Sequence, residues 1–312
     1  MKKLLLALFS LLLLLAGCSN NNMGNEKRKE KLDVYTTVYP LRYFTEQIGG
    51  DFVNVKSIYP PGADEHTYEP SQKDMMNLAD ADLFFYIGLG LEGFADKAKT
   101  VLKNDHVQMI AIGEEINLEP TIEDEHAGED HEHAGHNHGD IDPHIWIDPI
   151  YAKEMAKKIL DSLSEQIPEQ RELFEKNYAT LAIQFDEIDT QFKELAENAA
   201  RKKFIIAHAA YGYWENRYNL KQIPISGISS SQEPSQKKLK NIVDTVKSEQ
   251  IPYILYEQNI NSRLADVIRQ ETGTEALRIH NLAVLTEDEL NKKETYFTLM
   301  KNNIKVLEKA LQ

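Results

Sequence analysis

From Glu169 to Arg201 the chain runs without a glycine or proline, and its apolar residues recur at alternating spacings of four and three. They are Phe174, Tyr178, Leu181, Phe185, Ile188, Phe192, Leu195 and Ala199. That period predicts one helix with a continuous apolar stripe. At 1.5 Å per residue it would run about 45–50 Å, longer than one small domain is wide. Pro168 just before it suits the first turn of a helix. A coiled-coil segment would carry the same period, but one isolated seam between two differently patterned halves reads better as a connecting strut.

On both sides of this helix, short apolar runs alternate with helical stretches. Before it, Leu32–Thr37, Val53–Tyr59 and Leu83–Ile87 are expected as strands, with helices at Tyr43–Ile48 and Ser71–Ala81. Ser71 and Asp74 have the spacing of a capping box. After it, strands are expected at Lys203–Ala207, Tyr253–Tyr256 and Ala276–Ile279. Helices are expected at Pro234–Gln250, Ser262–Thr272 and Lys293–Leu311. Alternation of this kind implies parallel sheets. The predicted fold class is therefore α/β, with two Rossmann-like lobes joined by one long rigid helix. Ligands of such sheets sit beyond the carboxyl ends of the strands, here in a cleft between the lobes. The expected organisation is a leader at 1–17, a tether at 18–31, a first lobe at 32–167, the linking helix at 168–201 and a second lobe at 202–312.

The leader is read from Met1-Lys2-Lys3 followed by the apolar run Leu4–Ala16, too short for a permanent bilayer span and suited to a secretory signal. It ends in Leu15-Ala16-Gly17-Cys18, which resembles a bacterial lipobox. That resemblance implies cleavage before Cys18 and a lipid on its sulfur. A plain signal peptide with an incidental cysteine is the alternative. Ser19–Lys31 is polar apart from Met23 and is expected to be a solvated tether. The chain is thus expected at the outer face of a cell membrane, held by lipid on Cys18 and spanning nothing.

Composition removes several functions. With 35 Lys and Arg against 50 Asp and Glu, the net charge is −15, a poor match to a phosphate backbone. Nucleic acid is excluded as a main partner. One cysteine rules out a disulfide scaffold and a Cys-rich zinc ribbon.

Histidine remains. His126, His131, His133, His136 and His138 are interleaved with carboxylates and glycines in the insert 123–140, and no Lys or Arg occurs between Lys103 and Lys153. Imidazoles and carboxylates together bind borderline divalent metals, zinc foremost. So few apolar residues cannot offset ordering entropy, so this insert is expected to be a mobile metal collector rather than the selective site. Three other histidines have stiffer settings. His66 lies in Pro60-Pro-Gly-Ala-Asp-Glu-His-Thr-Tyr-Glu-Pro70, His144 in Asp142-Pro-His-Ile-Trp-Ile-Asp-Pro149, and His208 directly after Phe204-Ile-Ile-Ala207. Each alone is as well explained by a hydrogen-bonded structural histidine. All three, at strand ends or proline-stiffened loops of both lobes, make a plausible ligand set, and neutral nitrogens favour zinc over magnesium, calcium or manganese.

Gly62-Ala-Asp-Glu-His66-Thr-Tyr-Glu-Pro-Ser71, Asp142-Pro-His144-Ile-Trp-Ile-Asp-Pro149, Ala207-His208-Ala-Ala-Tyr-Gly-Tyr213, Gly227-Ile-Ser-Ser-Ser-Gln-Glu-Pro-Ser235 and Glu257 occur in order. Together they resemble the zinc branch of the metal-binding lipoproteins that feed ABC importers, over nearly the whole mature chain. The resemblance implies two lobes on a backbone helix, with His66, His144 and His208 as ligands. It also implies capture of Zn(II) and delivery to an ABC permease with its cytoplasmic ATPase. A monomer is the expected state. Many zinc relatives close the site with the Glu of an Asn-Pro-Leu-Glu motif; here His280-Asn-Leu-Ala283-Val-Leu-Thr286 places Ala283 at that point. His280 is the expected fourth ligand, with Glu65 the competing candidate and water the third. A manganese-type relative or adhesin is the alternative reading, and manganese would favour two carboxylates. A membrane-anchored zinc hydrolase lacks support: no HExxH occurs, and Gly227-Ile-Ser-Ser-Ser is not a GxSxG elbow. The expectation is a binding protein, not an enzyme.

Overall fold

The computed structural model describes residues 31–119, 141–260 and 262–312. The leader, Cys18, the tether and the insert with His126, His131, His133, His136 and His138 lie outside the described residues.

The first sheet contains β1 (Leu32–Thr36), β2 (Val53–Ser57), β3 (Leu83–Tyr86) and β4 (Gln108–Ala111), all parallel in the order β2-β1-β3-β4. The second contains β5 (Lys203–Ile206), β6 (Lys221–Pro224), β7 (Tyr253–Glu257) and β8 (Glu275–Ile279), parallel in the order β6-β5-β7-β8. Every residue of the inner strand β3 is buried, whereas β2 at the sheet edge alternates. Covered on both faces, an inner parallel strand needs an unbroken apolar run, and Leu83-Phe-Phe-Tyr86 provides it.

Helices connect the strands. In the first lobe these are α1 (Tyr39–Gly49), α2 (Gln72–Ala79), α3 (Ala95–Val101) and α4 (Pro149–Gln166). Helix α1 begins four residues before the apolar pattern suggests, because Pro40 fits the helix's opening positions. Ser71 and Asp74 form the predicted capping box: the Asp74 N–H donates to Ser71 Oγ at 3.2 Å, and the Ser71 N–H to Asp74 Oδ2 at 2.9 Å. Helix α4 has no counterpart among the predicted elements. Asp148 caps it, accepting from the N–H groups of Ile150 and Tyr151 ahead of Pro149 in the first turn.

The long helix α5 spans Arg171–Asn198, about 42 Å, and is entered through a 3₁₀ turn at Pro168–Gln170. Its stripe joins the lobes. Phe174 packs edge-on to Phe52, and Phe185 meets Phe44 of α1 at 5.2 Å between ring centroids. Further along, Phe192 lies 4.9 Å from Trp214 and stacks at 5.1 Å on Tyr218, both in α6 (Gly212–Tyr218) of the second lobe. Phe174, Phe185 and Phe192 are wholly buried.

The second lobe adds α7 (Gln236–Glu249) and α8 (Arg263–Thr272), whose apolar faces and Ile205, Ile225 and Ile254 form a separate small core. The predicted terminal helix at Lys293–Leu311 is α10 (Tyr296–Ala310), and it is preceded by a short helix, α9 (Glu287–Lys292), that has no counterpart among the predicted elements. Lys293 takes φ +56°, which stops α9, and Thr295 caps α10. Helix α10 then crosses back to the first lobe, where Tyr296 packs 5.1 Å from Phe44. Among the described residues, no helix is long and apolar enough to cross a membrane.

Candidate metal centre

Two loops at the carboxyl ends of strands and one proline-bounded loop carry the three structured histidines. After β2, Gly62 turns the chain at φ +74° and its N–H is tied to the Leu285 carbonyl at 3.1 Å. The next turn is closed by Asp64, whose Oδ1 accepts from the His66 N–H at 2.9 Å. His144 precedes a 3₁₀ turn at Ile145–Ile147. Asp142 holds it twice through Oδ1: 2.9 Å from the backbone N–H and 2.7 Å from Nδ1. His208 follows β5, and its Nδ1 lies 2.5 Å from Glu257 Oε2 at the end of the neighbouring β7. The Tyr211 hydroxyl donates to the other oxygen of Glu257 at 3.1 Å.

With Nδ1 of His144 and of His208 each donating to a carboxylate, their Nε2 atoms carry lone pairs. The Nε2 of His66 is 3.1 Å from that of His144, and the Nε2 of His208 is 3.4 Å from it. A tetrahedral ion with zinc–nitrogen bonds of 2.0–2.1 Å holds its ligand nitrogens about 3.3–3.4 Å apart. These two separations lie within about 0.3 Å of that value. Three imidazole nitrogens gathered this closely, each offering a lone pair when neutral, suit a metal.

Glu65 completes the cluster: one ligand atom each from Glu65, His66, His144 and His208 lie within 4.8 Å of one another. Glu65, His144 and His208 are buried and His66 is half-buried. Burial pushes the Glu65 carboxyl up to about 7. Burial, followed by the neighbouring His144 and His208, pushes His66 down to about 2, keeping it a neutral lone-pair donor. At His208 burial opposes charge, but the Glu257 carboxylate outweighs it and the pKa lies above the ordinary histidine value.

The fold does not bring His280 to this centre. Its Nδ1 accepts from the Leu282 N–H at 2.8 Å, and its Nε2 lies 3.2 Å from Glu289 Oε1. Both nitrogens are thus turned toward the chain that follows it. The carboxylate that lies beside the three imidazoles is that of Glu65, next to His66. Ala283 is buried, with its carbonyl accepting from the Tyr39 N–H at 2.7 Å.

Several residues that shape the centre are not singled out by sequence patterns. Asp142 opens one of the motifs and Glu257 follows them singly, but only the fold shows that they orient His144 and His208. The signal for Asp142 is its position two residues before a histidine, a spacing at which an Asp side chain reaches the backbone N–H. The His144 loop is fixed by the second lobe. Trp146 Nε1 donates to the Asn281 carbonyl at 2.7 Å, Trp214 Nε1 to the Ile147 carbonyl at 3.0 Å, and the Tyr213 hydroxyl to the Asp142 carbonyl at 2.5 Å.

Residues 34–310 match the family model ZnuA, described as zinc-uptake complex component A, periplasmic. The zinc-binding lipoprotein AdcA of Streptococcus pneumoniae (strain ATCC BAA-255 / R6) is 36% identical over 311 residues, covering 99% of this chain and 61% of the relative. The chain therefore spans about three fifths of the length of that relative. The high-affinity zinc uptake system protein ZnuA of Bacillus subtilis (strain 168) is 32% identical over 301 residues, covering 96% of this chain and 94% of the relative. Among solved structures, the Zn(II)-bound ZnuA-like domain of Streptococcus pneumoniae AdcA superposes with a TM-score of 0.74 at 33% identity, covering 90% of this chain and 99% of that one.

Proposed function

This chain belongs to the zinc-uptake complex component A family, and from that premise we propose that it captures Zn(II) outside the cytoplasm and delivers it to an ABC-type permease with a cytoplasmic ATPase. The observation that carries this reading is the convergence of three Nε2 atoms at the spacing of zinc ligands. His66, His144 and His208 supply the nitrogen ligands and Glu65 the oxygen. Three nitrogens with one oxygen suit zinc, whereas manganese asks for more oxygen. Four protein ligands close a tetrahedral site and leave no position for a reactive water, which favours binding over hydrolysis.

His66 and Glu65 come from the first lobe and His208 from the second, so the metal ties the lobes together. The segments 32–167, 168–201 and 202–312 act as lobe, linker and lobe, and the aromatic contacts of α5 with both lobes favour small movements over a wide hinge. The leader 1–17 directs export and is removed, and lipidated Cys18 then holds the protein, as a monomer, at the outer face of the cell membrane. The histidines of 123–140 raise the local metal concentration.

Calorimetric zinc titration of the protein and of a variant lacking 123–140 tests the reading. One tight site should survive the deletion, weaker sites should disappear, and His66→Ala, His144→Ala and His208→Ala should each weaken the tight site. Loss of all zinc binding with the deletion would overturn it.

A further inference from the structure

The second lobe reaches Glu65 as well as the histidines. Asn259 and Asn281 lie just past the carboxyl ends of β7 and β8, neighbouring strands that pair Glu257 with Ile279. Asn281 Nδ2 donates to Glu65 Oε1 at 3.0 Å, and Asn259 Nδ2 donates to Glu65 Oε2 at 3.1 Å. Each carboxylate oxygen thus has one amide of the other lobe.

The network determines which way both amides face. Asn281 Oδ1 accepts from Gln258 Nε2 at 2.8 Å and from the Ala283 N–H at 3.1 Å. With two donors at its oxygen, Asn281 has to turn its NH₂ toward Glu65. Asn259 Nδ2 faces two acceptors, the Ala63 carbonyl at 3.0 Å and Glu65, while its Oδ1 accepts from Asn281 Nδ2 at 3.2 Å. Asn281 and Glu65 are essentially without solvent exposure, so bulk water does not compete for these bonds.

We infer that Asn259 and Asn281 are positioning residues for the metal: two carboxamides of the second lobe hold the Glu65 carboxylate in the orientation that presents it to the three imidazoles. The inference rests on the reading of Glu65 as the fourth ligand. Two donors on two oxygens fix the carboxyl plane as well as its place. The second lobe then has two routes to the ion: directly through His208, and at one remove through a carboxylate of the first lobe.

The test is a set of zinc affinities, measured by competition with a chromophoric chelator on the purified protein, together with the visible spectrum of the Co(II)-loaded form. Asn259→Ala and Asn281→Ala should each weaken zinc binding by about 10–100-fold. Asn259→Asp should weaken it further, because a carboxylate would then face a carboxylate. In a Glu65→Ala background the same asparagine replacements should change the affinity by less than about twofold. The cobalt bands of the single asparagine variants should move toward those of Glu65→Ala. Equal losses in both backgrounds, or no loss with Glu65 present, would overturn the inference and leave the asparagines as props of the fold. Glu65→Ala that binds zinc as tightly as the parent, with unchanged cobalt bands, would remove Glu65 from the metal and take the inference with it. Should Asn281→Ala fail to fold, Asn259→Ala decides, since that side chain engages only Ala63, Glu65 and Asn281 among the described residues.

Discussion

Nδ1 of His208 and Oε2 of Glu257 lie 2.5 Å apart with both side chains at zero exposure. A carboxylate behind an imidazole fixes its tautomer, aims its free nitrogen and raises its basicity. Glu257→Gln keeps the size and removes the charge. The expected outcome is a loss of about 10–100-fold in zinc affinity with little change in melting temperature, read by chelator competition and thermal unfolding. An affinity equal to the parent's would show that His208 needs no such support.

Zinc binding should weaken as pH falls through neutrality. Glu65 is pushed up to about 7 by burial, so below that value the metal has to displace its proton. His66, pushed down to about 2, carries no proton to displace between pH 5 and 8. Affinity should fall by up to about tenfold per pH unit for each proton released. Glu65→Gln should bind more weakly at pH 8 and show a shallower slope between pH 8 and 6. An unchanged slope would assign the proton to another group.

Phe192 is one point at which the linking helix grips the second lobe, between Trp214 and the stacked ring of Tyr218. Phe192→Ala should cost about 3–5 kcal/mol in denaturant unfolding, the usual penalty for emptying a wholly buried aromatic position. A loss below about 1 kcal/mol would mean that the second lobe does not depend on this contact.

Asp148 caps α4 and is buried, and Arg217 forms an ion pair with it while lying over the Tyr151 ring. Burial raises the Asp148 pKa, against the pull of Arg217 and of the helix N–H groups. Arg217→Ala strands that carboxylate and should cost about 2–3 kcal/mol at pH 7, allowing for the partial exposure of the arginine. The arginine stabilises only the ionised carboxylate, so the cost should shrink toward pH 4. Unfolding curves at the two pH values measure the difference.

Much of the architecture is legible in local pattern. Phe174 to Leu195 specify the long helix because the i, i+3, i+4 period needs no knowledge of what it packs against. Leu83–Ile87 reads as a strand from its short unbroken apolar run. Helix α4 is harder to see beside a proline-rich motif, although Asp148 before Pro149 is a sound start signal. Helix α9 is invisible locally, since none of its six residues is buried and it carries no apolar stripe to read. At the metal centre, strand ends and stiff loops point to His66, His144 and His208, which the fold draws together. The choice between His280 and Glu65 depends on side-chain direction. His280 folds back onto Leu282 and faces Glu289, while Glu65 is held by asparagines roughly two hundred residues away in sequence, and no local signal carries either fact.

The return of α10 to the first lobe bears on the order in which the molecule is completed. The bond from the Tyr39 hydroxyl to the Glu294 carbonyl spans 255 residues, and Tyr296 covers Phe44 and Phe185 from the same late segment. During synthesis the first lobe emerges early, with those aromatic faces bare. Its core closes only after the second lobe has been made and α10 has swung back across it. Contacts of such long range slow folding and leave sticky surface exposed meanwhile. The lobe that is begun first is the one finished last.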